Sequence, residues 1–276
     1  MEIKNKKIYN YDVGVISAHY HSYKDPKPSD IFSSHIHNGY ELLFFYDGDA
    51  DIICAGSVYH LQKYDLAIIP PSTYHQVKLL SSHVYTRVVC NFYEEFIPKE
   101  SRDAIKSLDY LYHVDPGGPI KRIFDNISFA EANLSKTAEY SKFIKHCVQN
   151  IIILLKNNTF SPIEQITPES DFEKILYYID GNPKLPMNVK TLAQKFHMSE
   201  SSVSHLFKKR IGLSALQYIN RKKILYAQSL VLSGKPPVEV AETCSYENYP
   251  TFYRQYKKYI GLSPAEDIKR QNERQE

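Results

Sequence analysis

Residues 207–214 read FKKRIGLS, and residues 256–263 read YKKYIGLS. The phrases start 49 positions apart and share six of eight letters, the first mismatch being Phe207 against Tyr256. The likeness extends upstream, where LAQKFHMSESSVSHL precedes the first phrase and VAETCSYENYPTF the second. Each segment holds an aliphatic–Ala pair (Leu192-Ala193, Val240-Ala241), a short turn and a polar helix start. A small Ala on one helix lets a second helix cross closely. Two such units predict a duplicated helix-turn-helix, whose second helix enters the DNA major groove while the first crosses the backbone.

Charge follows the repeat. From Pro168 onward there are 17 Lys+Arg against 12 Asp+Glu, leaving 17 against 19 before it. Ser201–Val238 contains no acid and seven bases: Lys208, Lys209, Arg210, Arg221, Lys222, Lys223 and Lys235. A long acid-free basic stretch in a folded region suits a polyanion, and a solvated face is the competing reading. The 276 residues are 43% hydrophobic and 24% charged, enough for two globular domains with real cores. Cys54, Cys90, Cys147 and Cys244 lack metal spacing and are expected as reduced thiols. The start MEIKNKKIYNYDVG has no apolar signal core, and the longest aliphatic run, Ile151–Leu155, is too short to span a bilayer. These features predict a cytoplasmic protein without a membrane partner.

Upstream of the repeat the pattern changes. GYELLFFYDGDADIICAG, VYHLQKYDLAIIPPSTYHQVKLL and HVYTRVVCNFY are β-branched, aromatic and broken by turn residues, which predicts antiparallel strands in a barrel or sandwich. From about Pro119 the period becomes helical. Tyr140, Ile144, Cys147, Ile151 and Leu154 form one apolar face, widened by Phe143, Val148, Ile152 and Leu155. That face must be covered by its own barrel or by a second subunit. The polar stretch NTFSPIEQITPES reads as a linker.

The segment from about Pro168 to Arg270 resembles the DNA-binding domain of AraC/XylS-type transcription regulators. The resemblance is carried by TLAQKFHMSESSVSHLFKKRIGLSALQYI and VEVAETCSYENYPTFYRQYKKYIGLSP. It implies seven helices, two helix-turn-helix units and a linking helix. It also implies groove-facing positions at Ser201, Ser202, Ser204 and His205 in the first unit and Tyr249, Pro250, Thr251, Tyr253 and Arg254 in the second. Lys208, Lys209 and Lys257, with Lys258, are expected near phosphates. Arg254 is the best candidate for a guanine contact, a phosphate contact or surface ion pair being the alternative. Phe207, Tyr256, Leu206 and Phe252 are expected in the core. The chain departs from the family pattern in five places, one of them Tyr246 where Phe is usual. His197 and Ser245 stand where the turns usually carry Gly. Lys223 stands for a usual Arg, and Asp267-Ile268 for a usual Tyr-Arg.

His35-x-His37-x3-Glu41-x6-Gly48, followed by His75 after a Pro-Pro turn, resembles the cupin pattern, whose metal-binding members use these four positions. Sensory domains of AraC-type regulators also resemble it and bind a small effector, often a sugar. Three readings stand side by side: an effector pocket with structural histidines and no metal, a metal assisting the effector, and a catalytic metallocupin; a constitutive DNA-binding regulator whose barrel only dimerises is a further alternative. The first is preferred, with no cofactor and no enzymatic activity. His35, His37, Glu41, His75 and Arg87 are its candidate effector-binding residues, and the 23 tyrosines offer stacking faces.

The expected fold is therefore α+β in two domains: an N-terminal antiparallel β-barrel, cupin-like, and a C-terminal all-α domain with two helix-turn-helix motifs. The expected boundaries are 1–118 for the sensor, 119–160 for a helical dimerisation segment and 161–276 for the DNA-binding domain. The expected partners are double-stranded DNA, a small-molecule effector such as a sugar, a second copy of the chain, and RNA polymerase if the protein is an activator.

Overall fold

A computed structural model describes residues 8–9, 17–24, 36–37, 39–98, 101–106, 108–134, 137–157, 163 and 170–273. It divides into two compact units, Met1–Thr167 and Pro168–Glu276. In the first, the strands are β1 (Ile8–Tyr9), β2 (Ser17–Tyr23), β3 (Ile36–His37), β4 (Tyr40–Asp47), β5 (Ala50–Cys54), β6 (Ser57–His60), β7 (Asp65–Ile69), β8 (His75–Leu79), β9 (Tyr85–Phe92) and β10 (Leu111–His113). Its helices are α1 (Arg102–Lys106), α2 (Pro119–Leu134) and α3 (Ala138–Asn157). A five-stranded sheet runs β10-β7-β4-β9-β2, a three-stranded sheet runs β6-β5-β8, and β1 pairs with β3 in parallel. Every ladder in the two larger sheets is antiparallel.

The central strand explains the layering. β4 is apolar at almost every position because both of its faces are covered. Leu42 and Phe44 point to a core shared with α2 and α3. Leu43 and Phe45 point to a core shared with the three-stranded sheet through Ile52, Val77 and Leu79. The layers are thus sheet, sheet and helices. The antiparallel β architecture expected for this unit is present. Closure into a barrel is not: among the described strands no ladder joins the two sheets, which pack face to face.

The helical face predicted in α3 lies against its own sheet. Ile144, Val148, Ile151 and Ile152 are fully buried in that core, with Tyr140, Phe143 and Leu154 packed at its margin. On α2, Ile120, Phe124, Ile127 and Ala130 repeat at helical spacing and are buried. The ring of Phe124 stacks on Phe44 at 4.4 Å between centroids.

The second unit is helical: α4 (Asp171–Gly181), α5 (Val189–Lys195), α6 (Glu200–Ile211), α7 (Ala215–Leu232), α8 (Pro237–Thr243), α9 (Tyr249–Ile260) and α10 (Pro264–Glu273). Its boundaries follow local chemistry. Side chains of Ser170, Asn188, Ser199, Ser214 and Asn248 accept backbone N–H groups at five helix starts. The repeated phrase is a stop-and-start signal. Gly212 (φ 73°) and Gly261 (φ 86°) take the left-handed conformation that ends α6 and α9. Ser214 then caps α7 in a capping box with Gln217, and Ser263 makes the same reciprocal pair with Glu266 at α10.

The two turns also match. Met198 N–H donates to Ala193 O and Tyr246 N–H to Ala241 O, each at 2.9 Å. Between them His197 (φ 54°) and Ser245 (φ 53°) hold the left-handed conformation, at the positions where the family pattern has Gly. Such backbone is costly for a residue with a Cβ, and less so for His than for Ser. Ser245→Gly should therefore stabilise the protein by about 0.5 kcal/mol, and His197→Gly by less. Thermal melting of the full chain checks this, and a lowered melting temperature for Ser245→Gly would contradict it.

Candidate functional sites

The exposed faces of α6 and α9 are built by what they bury. Val203, Phe207 and Ile211 turn inward on α6, as do Phe252 and Tyr256 on α9. Ser201, Ser202, His205, Lys208 and Lys209 are then exposed together on α6, whereas Ser204 is half-buried on its flank. On α9, Pro250, Tyr253, Arg254 and Lys257 are exposed, while Tyr249 and Thr251 are half-buried. Tyr249 packs on Phe252 and Tyr253, with ring centroids at 5.7 and 6.3 Å. Of the predicted core, Phe207, Phe252 and Tyr256 are fully buried and Leu206 half-buried.

Hydrogen bonds set how these faces present themselves. Ser199 Oγ lies 2.9 Å from Ser201 Oγ and 2.8 Å from Ser202 Oγ, so the hydroxyls at the start of α6 are already networked. Arg254 Nη2 donates to Thr251 Oγ1 at 3.4 Å along the helix. An open cleft of about 500 Å³ separates the start of α4 from α6, lined in part by Ser170, Asp171, Ser201, Ser202, His205 and Arg210. The turn before α9 is held from α7. Lys223 Nζ donates to Ser245 O at 3.1 Å and sits 4.2 Å above the Tyr246 ring. Burial lowers the Lys223 pKa, with the Cys244 thiol opposing.

In the first unit, strand register brings three predicted residues together. His37, Glu41 and His75 are all buried, and their donor atoms lie within 4.8 Å of one another. His35 lies outside the described residues. His37 Nδ1 is 2.9 Å from Gly39 O and His75 Nδ1 is 3.1 Å from Thr73 O. A carbonyl only accepts, so in a neutral ring each Nδ1 carries the proton and Nε2 keeps a lone pair. Those lone pairs face the carboxylate: His37 Nε2 is 3.1 Å from Glu41 Oε2, and His75 Nε2 is 3.8 Å from Oε1. Convergence of acceptors is relieved by a shared proton, a donor or a cation.

Backbone detail fixes the cluster. A Cβ at Gly39 would stand 2.7 Å from the Phe92 carbonyl oxygen, so only glycine lets this strand approach β9 and present the carbonyl that orients His37. Ser72, buried with φ 55°, donates its N–H to His37 O at 2.7 Å. That left-handed residue leads directly into Thr73 and His75.

Arg87 shares the sheet face, and the Glu41 carboxylate is among the charges acting on it. Residues paired across strands point to one face, which aligns Glu41 with Asn91, Leu43 with Val89 and Phe45 with Arg87. Arg87 thus stands four residues from Asn91, roughly 14 Å along the strand. It joins a second polar group. Its Nη1 donates to Tyr85 Oη at 3.3 Å, and β2 places His21 opposite it and Tyr23 opposite Tyr85. Sequence reading missed Asn91, whose buried Oδ1 has no hydrogen-bond partner among the described residues. It missed His21 too, although the alternation His19, His21, Tyr23 carries the signal.

Burial, with lesser contributions from Arg87 and His19, lowers the His21 pKa to about 4, and only Glu41 opposes. A His whose folded pKa lies below its unfolded value of about 6.5 is neutral in the fold and binds a proton more readily when unfolded. Its contribution to stability is complete above pH 6.5 or so and is lost as pH falls toward 4. His21→Gln should shrink the drop in melting temperature across that window. An unchanged drop would show that His21 does not titrate with folding.

A family profile described as a helix-turn-helix domain matches residues 192–270. The chain is 24% identical over 246 residues to the uncharacterised HTH-type transcriptional regulator YdiP of Escherichia coli, covering 86% of this chain and 80% of that protein. It is 25% identical over 114 residues to the transcriptional regulatory protein HptR of Staphylococcus aureus, covering 41% of this chain and less than half (45%) of that one. Among solved structures, ToxT of Vibrio cholerae aligns at 13% identity over 92% of this chain and 98% of its own, with a TM-score of 0.36. At that score the fold is read from this chain's own elements. No helix among the described residues is long and apolar enough to cross a membrane. The matched profile covers the first turn through α10, the same span that carries the duplicated phrase, and this part of the chain is a helix-turn-helix domain.

Proposed function

We propose that α6 and α9 read successive major-groove faces of one duplex and that a small molecule in the first unit controls this binding. Ser201, Ser202, Ser204 and His205 are the base-facing set of the first helix, and Tyr249, Pro250, Thr251, Tyr253 and Arg254 that of the second. Lys208, Lys209 and Lys257 take phosphates. The observation that supports this most is the pairing of two exposed polar-basic helix faces on opposite ends of one helix, α7. Short hydroxyls tied to a cap discriminate bases weakly, so α9, through Arg254, supplies most of the selectivity.

The effector reading rests on the polar groups gathered between the two sheets. His37, Glu41 and His75 form one end, with His35 proposed beside them from the sequence pattern, and Arg87 with His21 and Tyr85 forms the other. Such groups set in apolar walls suit a small polyhydroxylated ligand, a carbohydrate above all. Effector binding shifts the population of arrangements available to the DNA-binding units of a homodimer. Phe129 and Ile153 are exposed on α2 and α3 and are the residues proposed to meet the second copy.

A second reading, that a divalent cation assists the effector, is favoured by the acceptor convergence. The residues fit: two imidazoles with Nδ1 tied to backbone carbonyls, and a carboxylate between their Nε2 atoms, are the donor set of a transition-metal site. His37, Glu41 and His75 would hold the ion, which would supply Lewis acidity toward an effector oxygen.

Arg254→Ala should relax preference at one base position by about 1–3 kcal/mol. Lys208→Ala should weaken all duplexes alike and reduce the salt slope by about one. Affinity measured across salt concentrations on a duplex selected by the full chain tests both. Wild-type behaviour of the two variants would refute the binding face. For the cation reading, dialysis against Zn2+ should load about one equivalent and His75→Ala should abolish it. Loading that survives His75→Ala would place the ion elsewhere.

A further inference from the structure

The two copies of the repeated phrase differ first at Phe207 and Tyr256, and the extra hydroxyl has a definite task. Tyr256 Oη donates to Asp267 Oδ2 at 2.8 Å. Gln228 Nε2 donates to the same oxygen at 2.7 Å. One buried carboxylate oxygen therefore joins three helices: α9 through Tyr256, α10 through Asp267 and α7 through Gln228. Asp267 is 7% exposed and Tyr256 is fully buried. Burial first, then the Asp267 carboxylate, raises the Tyr256 pKa, so the phenol stays a donor. Asp267 is also one of the chain's departures from the family pattern.

The first helix-turn-helix is held differently. Phe207 has no polar atom and reaches α7 by packing its ring 5.7 Å from Tyr218. The acid there, Asp180, accepts from Tyr218 Oη at 2.9 Å and pairs with Lys222 at 3.2 Å, which ties α7 to α4. The first recognition helix packs an apolar ring on α7, and the second is tied by directional bonds to a charged oxygen. Sliding or rotating α9 on α7 would break at least one of the two bonds. Charge-assisted hydrogen bonds at these lengths are the strong and geometrically exacting ones.

From this arrangement we infer that Asp267, acting through Tyr256 and Gln228, is a positioning residue that sets the spacing of base pairs at which the two recognition helices bind together. The inference rests on the proposal that both helices enter one duplex. The acid touches no DNA; it fixes where α9 presents Arg254 relative to α6.

Tyr256→Phe removes one of the two bonds and leaves a phenyl ring of the kind the first copy already buries at Phe207. Gln228→Leu removes the other. The full chain is used to select a duplex, and its affinity is compared on that duplex, on versions with one base pair added or removed between the half-sites, and on the α9 half-site alone. The wild type should lose about tenfold or more on changing the spacing, each variant about threefold or less, with half-site affinity unchanged. General loosening of the domain would instead lower affinity on every duplex equally. Variants that keep the wild-type spacing preference, or lose affinity uniformly, overturn the inference alone. A wild-type chain that selects no duplex overturns the DNA-reading proposal and the inference with it.

Discussion

The second unit depends on one helix being buried in two cores. Helix α7 carries Ala215, Tyr218 and Ile219 at its start and Ile224, Ala227 and Val231 further along, all buried. Tyr218 meets Phe207, and Phe207 meets Phe172, which closes the first core. Ile224, Ala227 and Val231 pack with Val240, Ala241, Phe252 and Tyr256, which closes the second. Helices α4, α6, α8, α9 and α10 all contact α7. Close-packed interiors are stiff, so two recognition helices seated on one such helix move as a pair. The exposed residues of α6 and α9 are consequences of that seating.

The duplicated phrase was the most legible feature, because each letter has a local cause. Lys-Lys ends a helix favourably, Gly takes a left-handed turn, and Ser starts the next helix. The turn residues His197 and Ser245 were legible as places where backbone would conflict with side chain, and the positive φ values bear that out. The histidine–glutamate set was legible from spacing for His37, Glu41 and His75, since a strand and a turn fix their directions.

Other features were not legible because they depend on contacts distant in sequence. The period of α3 shows that a face is apolar but not what covers it; the cover is α2 together with the five-stranded sheet. Barrel closure depends on edge pairing that alternation does not encode. The register that sets Arg87 opposite His21 and beside Tyr85 is likewise not written in local spacing. The half-burial of Ser204, Tyr249 and Thr251 follows from lying beside Val203 and Phe252 on the helix surface. The role of Asp267 required knowing that a tyrosine eleven residues earlier turns back toward it.

Seated together on α7, α6 and α9 are proposed to address one face of a duplex. Hydroxyl-radical footprinting of the full chain on a selected duplex tests it most directly. The account predicts two protected patches centred about one helical turn, roughly 10 base pairs, apart on the same face. A single patch, or two on opposite faces, would contradict it.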